Sequence, residues 1–440
     1  MMVLAAAGVA LTASGCSGGL PALPPMSKLN PFAKGPPPPL PGKRISVMPE
    51  KDKVGGANLA AATGPLTLPA PVINIAWTQP GGTPNNAPGH LALGTQLKRI
   101  WSADAGTGSS TVARLTASPV VAEGRVFTLD ASARVSSFNA STGGASWRVA
   151  LAPEGERGPG GYGGGLAVES GRLIVATGFG TVVALDPRTG KKIWDRALRA
   201  PVRASPTAAD GRVFVITTNG RVYCLSATDG TQLWVFRGLP EQSSIISNPS
   251  PAVAGNTVAV PFPNGDLVVL NADSGTAVWS ESLARNRASS ALAGMSDAAR
   301  PVIDGDMIFG VGHAGRMIAA KLATGERVWS LDIPGTQAPW AAGQTIFVAD
   351  ITGKLMAINR ADGLLRWTIK LPGARTWSGP TLAGSMLWLT SHKGALVGVD
   401  AATGRVAQRL GVGDPVYIAP VVADGRLYVL TDKARLIAFR

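Results

Sequence analysis

Along most of the chain, apolar and polar residues alternate with a period of two, and glycine turns break the alternation every few residues. That pattern predicts short, half-buried β-strands joined by hairpins, not amphipathic helices. From residue 118 onward one unit recurs. An apolar run leads to Asp-Gly or Glu-Gly and an Arg, and alternating apolar residues follow. A Gly then opens a second run that ends at Asp or Asn. A Thr-Gly, Asp-Gly or Ser-Gly turn comes next, with a Trp four residues after its Gly. GTVVALDPRTGKKIW, starting at Gly180, is the clearest copy; GRVYCLSATDGTQLW from Gly220 and GDLVVLNADSGTAVW from Gly265 repeat it.

The turn glycines are Gly143, Gly190, Gly230, Gly275, Gly325, Gly363 and Gly404, spaced by 38 to 50 residues. Trp147, Trp194, Trp234, Trp279, Trp329 and Trp367 follow the first six, and the seventh copy carries Gln408 instead. This period is that of a propeller blade. A lone four-stranded blade leaves both faces open, whereas stacking blades around a ring covers them. The tryptophans are therefore read as structural side chains that fill the wedge between blades. A last unit, 420–440, stops before its Trp strand, while residues 96–103 carry an orphan strand with Trp101. The expected fold is all-β: an eight-bladed β-propeller with four-stranded blades. Its N-terminal strand closes the last blade and removes a free edge.

The 440 residues include 34 prolines, and 16 of these lie between residues 17 and 90, four of them in a row at Pro36 to Pro39. That bias reads as an extended spacer. The first fifteen residues carry no charge, Met1 to Leu11 is apolar, and the small residues Ala13, Ser14 and Gly15 precede Cys16. This resembles a bacterial lipoprotein signal, which implies cleavage before Cys16 and acylation of it. The expected division is a signal peptide over 1–15, a disordered Pro-rich membrane tether over 16–71, and the propeller over 72–440. No other stretch holds 18 continuous apolar residues, so no membrane-spanning helix is expected. The second cysteine, Cys224, sits in the strand-like run RVYCLSA and is read as a buried, unreactive thiol.

The blade pattern Asp-x-x-Thr-Gly-x-x-x-Trp resembles the quinoprotein (PQQ-type) propeller repeat. Taken with the lipobox, the spacer, the W-x-Q-x-G-G element at Trp77 to Gly82 and eight repeats without a catalytic insert, the chain resembles the BamB family. These are the propeller lipoproteins of the outer-membrane β-barrel assembly machinery. The resemblance implies a non-catalytic, cofactor-free and metal-free scaffold on the periplasmic face of the outer membrane, anchored through Cys16. It implies a monomeric propeller that binds the POTRA domains of BamA and other assembly-machinery subunits and assists insertion of outer-membrane proteins. In the family, loops between middle blades carry that contact. The matching stretches are 237–251 and 288–301, which makes Arg237, Ser247, Asn248, Ser296 and Asp297 the partner-binding candidates. Ala299 departs from the family's Ser-Asp-x-Asp element, where a second Asp would stand. The same stretches are the longest insertions in the repeat, and long excursions from a rigid scaffold are where binding concentrates. The alternative is a PQQ-dependent quinoprotein dehydrogenase. It would hold its cofactor in the central channel, and the family enzymes add a vicinal Cys pair that this chain lacks.

Lys plus Arg is 41 and Asp plus Glu is 27, a net charge of +14. Arg125, Arg172, Arg212 and Arg426 follow hairpin glycines in a recurring place, so the excess reads as a solvated basic rim, not a nucleic-acid groove. Such a rim would attract anionic lipid or an acidic partner. His90, His313 and His392 lie far apart, without zinc-ligand spacing. GYGGG at 161–165 lacks the Lys-Ser/Thr sequel of a phosphate loop and reads as a flexible crossing between blades.

Closure by the N-terminal strand has a direct test. Deleting 96–103 is expected to unfold or oligomerise the protein, and deleting 20–60 to leave a folded monomer. Sedimentation and thermal melting distinguish the two; equal behaviour would contradict the closure.

Overall fold

The computed structural model of the chain describes residues 64–155, 161–238, 249–284, 298–313 and 315–440. Among the described residues, thirty-two strands form eight antiparallel sheets of four strands each. Blades 1 to 7 occupy 120–150, 164–197, 207–237, 252–282, 302–331, 340–370 and 377–411. Blade 8 takes three strands from 421–439 and its outermost strand, Arg99–Asp104, from the other end of the domain. Trp101 faces Ala438 and Asp104 faces Arg435 across that seam. Lys98 and Arg440 exchange backbone hydrogen bonds of 2.8 and 2.9 Å. The eight-bladed ring closed by an N-terminal strand is thus the observed fold.

Burial follows radius. In blade 1 the innermost strand Val120–Ala122 is wholly buried, whereas the outermost strand Ala145–Ala150 is exposed at every second residue. Between blades, each outer-strand Trp donates its indole N–H to a turn carbonyl of the next blade. Trp147 reaches Pro187 at 3.1 Å, Trp194 reaches Ala227 at 3.0 Å and Trp234 reaches Ala272 at 2.9 Å. Trp279 and Trp329 reach Leu322 and Arg360, both at 2.8 Å. Trp367 bonds Ala401 at 3.0 Å, and across the seam Trp101 bonds Ala140 at 3.2 Å. The turn Gly lies beneath the indole. Gly230 has φ +73°, and a Cβ there would sit 2.6 Å from the Trp194 ring.

Blade 7 explains the break in the repeat. The neighbour of Gln408 is not a Thr-Gly turn but the incoming segment at Leu97. Leu97 N–H donates to Gln408 Oε1 at 3.2 Å, and Gln408 Nε2 donates to Leu97 O at 3.1 Å. An indole only donates; a carboxamide serves both groups.

Three expectations change. Two of the four hairpin arginines leave the expected free rim: Arg212 pairs with Asp273 of the next blade, and Arg426 pairs with Asp424 and bonds Ser141 of blade 1, whereas Arg125 and Arg172 bond within their own blades. The Arg212 and Arg426 side chains are only 18% and 11% exposed, because each leans across a blade boundary. GYGGG is close-packed rather than loose. A Cβ at Gly161 would meet the Phe179 ring at 2.0 Å, and one at Gly165 would meet Ser205 Oγ at 2.0 Å. Finally, Leu66 and Leu68 pack against the core, ahead of the domain start expected at residue 72. Cys224 is wholly buried, and burial pushes its thiol up to about 12.

The double duty of the turn glycine predicts a contrast. Gly211 has the same φ, +73°, but no atom lies within 4 Å of the point a Cβ would occupy. Gly211→Ala is expected to cost about 1–2 kcal/mol for the left-handed backbone alone. Gly230→Ala adds overpacking against Trp194, for a total of about 2–5 kcal/mol. Equal losses on denaturant titration would refute the seating of the indole on the glycine.

Candidate functional site

The free inner edges of the blades line a central channel, and residues 74–91 run a full circuit along them. Asn74 O accepts from Asp424 N–H at 2.7 Å in blade 8. Trp77 and Val121 exchange backbone bonds of 2.7 and 2.8 Å in blade 1, and Thr78 O takes Val168 N–H of blade 2 at 2.8 Å. At blade 3 the side-chain amide of Gln79 acts as a strand would. It donates to Ala208 O at 2.8 Å and accepts from Ala208 N–H at 3.1 Å. Pro84 O and Asn85 O take Val253 and Ile303 N–H in blades 4 and 5 at 2.7 and 2.9 Å. Trp340 of blade 6 donates to Gly89 O at 2.8 Å, and Leu91 bonds Leu382 and Gly384 of blade 7. We refer to this circuit as the clasp.

Local chemistry fixes the clasp. Gly82 takes φ +91° in the turn that closes from Gln79, and a Cβ on Gly81 would meet Asn86 Oδ1 at 2.2 Å. Trp77 is 3% exposed and stacks on Trp340 with centroids 6.2 Å apart. Buried His90 contacts Pro69 O through Nδ1 at 2.7 Å and accepts Ser385 N–H at Nε2 at 3.0 Å, so a proton on Nδ1 satisfies both.

The clasp lines one side of a funnel-like cavity of about 420 Å³. Trp77, Pro80, Gly81 and Asn86 of the clasp contribute to its lining, together with Trp340 and several prolines. Thr376 and Tyr417 of the lining are exposed, which puts its mouth beside them. Arg114 and Arg300 both line it. Burial lowers the Arg300 guanidinium to about 10.

Of the partner-binding candidates, Arg237 is exposed at the outer end of blade 3, opposite Arg221. Ser247, Asn248, Ser296 and Asp297 lie outside the described residues, as does Cys16. Pro249 and Ala298–Arg300, the described residues that follow the two long connections, line the funnel. Sequence reasoning misses the clasp as a functional element. Its signal is the W-x-Q-x-G-G run, whose Gln is an odd residue to bury.

The family pattern described as outer membrane protein assembly factor BamB matches residues 131–369 and 353–440. The chain belongs to the outer membrane protein assembly factor BamB family. Among its relatives, BamB of Shewanella oneidensis is 24% identical over 349 residues, covering 76% of this chain and 87% of that protein. BamB of Burkholderia pseudomallei is 25% identical over 347 residues, covering 78% and 88%. The match to BamB of Nitrosomonas eutropha is 23% over 215 residues and spans about half of each, 49% and 51%. The crystal structure of BamB from Moraxella catarrhalis superposes with a TM-score of 0.66 at 17% identity, over 78% of this chain and all of that one. A quinohemoprotein alcohol dehydrogenase from Comamonas testosteroni reaches 0.67 at 14% identity, over 83% of this chain and 80% of that one, a likeness of fold alone.

A quinone cofactor with Ca²⁺ does not suit the funnel residues. Among the described residues Asp432 is the one carboxylate lining it, and its Oδ1 is taken by the Ser109 hydroxyl. No group of three metal-ligating side chains occurs among the described residues.

The clasp makes Gln79 a stability-bearing residue. Gln79→Ala strips partners from the buried N–H and C=O of Ala208, each worth about 1–3 kcal/mol when unsatisfied. The expected result is a lower melting temperature with faster hydrogen exchange at Ala208; unchanged exchange there would argue against the pairing.

Proposed function

We propose that this protein is a non-catalytic scaffold of the outer-membrane β-barrel assembly machinery, held at the periplasmic face of the outer membrane by lipid on Cys16. In this reading its inter-blade connections at 237–251 and 288–301 bind the POTRA domains of BamA, and the complex assists insertion of outer-membrane proteins. The family match over 131–369 and 353–440 carries the reading. Two physical features support it. The ring leaves no unpaired strand end at the seam, so the propeller is a rigid platform. Pro249 and Ala298–Arg300, the described flanks of its two longest connections, line one common cavity, so both connections re-enter the ring beside it.

The test is retention of the protein on immobilised POTRA domains. Retention is expected, and Gly-Ser replacement of either connection is expected to abolish it while the melting temperature holds. Charge reversal at exposed Arg237 tests the described flank of the first connection. Absence of retention by the intact protein would overturn the partner assignment. Cys16→Ala is expected to release the protein from the membrane fraction; continued membrane association would overturn the anchor.

A further inference from the structure

Two guanidinium groups in the funnel have no counter-ion among the described residues. Arg300 is set in the wall where blade 5 begins, and its Nη1 donates to Pro80 O of the clasp at 3.0 Å. Its Nε is buried without a partner. Arg114, exposed nearer the mouth, makes neither a hydrogen bond nor an ion pair with any described residue. Removing a cation from water without pairing it costs several kcal/mol, so an unpaired guanidinium in a recess favours an anion beside it. Asp432, the one carboxylate of the described lining, accepts the Ser109 hydroxyl and carries a single negative charge against two guanidinium groups. Among the described residues the lining is therefore net positive.

The rest of the lining says what the anion is attached to. Trp77, Trp340, Leu115 and Tyr417 offer aromatic and apolar surface. Pro249, Pro339, Pro380 and Pro420 bring residues without a backbone N–H to the wall. These prolines add no N–H donors to the wall, which suits a guest that carries its own N–H groups. The channel already holds an extended chain in this manner. The clasp lies along the blades through backbone bonds, and Arg300 and Trp340 each donate to one of its carbonyls. A volume of about 420 Å³ falls within the usual range of ligand pockets.

We infer that the funnel binds the free carboxylate end of an extended polypeptide, with the carboxylate on Arg300 and Arg114 and the last side chain against Trp77 and Trp340. Guanidinium groups match carboxylates in a two-bonded geometry, and capture of a chain terminus is an established recognition mode. The inference is independent of POTRA binding, since it concerns the funnel and not the connections at its rim.

The experiment uses the full chain and a short fluorescein-labelled peptide ending in leucine, prepared with a free carboxylate and as the amide, and read by anisotropy. The carboxylate form is expected to bind about tenfold or more tightly than the amide. Arg114→Gln, at an exposed position, is expected to weaken the carboxylate form several-fold and leave the amide unchanged. Arg300→Gln is expected to remove the preference altogether; its melting temperature reports any loss of the Pro80 brace. Equal binding of the two peptides, or a preference that survives both substitutions, overturns the inference. So does binding of inorganic phosphate or acetate without binding of the peptide, which would make the funnel a simple anion site.

Discussion

Each blade is held to the next by an indole N–H that crosses the boundary and ends on a turn carbonyl, with the indole ring lying on the glycine of that turn. The contact joins three requirements in one place: the left-handed backbone of the turn, the absence of a Cβ, and a buried donor that needs an acceptor. Because the Trp belongs to one blade and the Gly to the next, neither blade completes the contact alone. The repeat therefore couples neighbours instead of merely stacking them. Where the neighbour has no such turn, as between blades 7 and 8, the repeat changes its residue to Gln408 and keeps the coupling through a carboxamide.

That coupling is also why so much of the fold is legible in the chain itself. A Gly four residues before a Trp, returning every 38 to 50 residues, carries both the turn and its packing partner, so blade count follows from arithmetic. The clasp is not legible, because it meets the blades in turn at their backbone atoms, which leave no side-chain period. Its own polar side chains, Gln79 above all, bond blade backbone as peptide units would. The arginines after the hairpin glycines stand out as a class, but Arg212 and Arg426 do not stand on a free rim. Sequence position fixes where a side chain starts, and only the curvature of the ring brings Asp273 or Ser141 beneath it.

The charge of +14 is thereby divided. Part of the positive surplus is bound up between blades, as in the pairs Arg212–Asp273 and Arg360–Asp304. Another part has no counter-ion among the described residues, in the funnel at Arg114 and Arg300 and on blade 3 where Arg221 faces Arg237. The first kind serves cohesion. The second is available to partners, and both of its locations adjoin the long connections between blades.

The clasp has an evolutionary consequence. Repeat proteins commonly gain or lose whole units by duplication and deletion within the gene. Here one short segment, 74–91, visits the blades in strict rotation, and its contact points are spaced for a ring of this circumference. A ninth blade would leave one inner edge unvisited and every later contact out of step; a lost blade would leave surplus chain in the channel. The blade number is consequently written twice, once in the repeats and once in the segment that measures them, and neither text can be revised without the other.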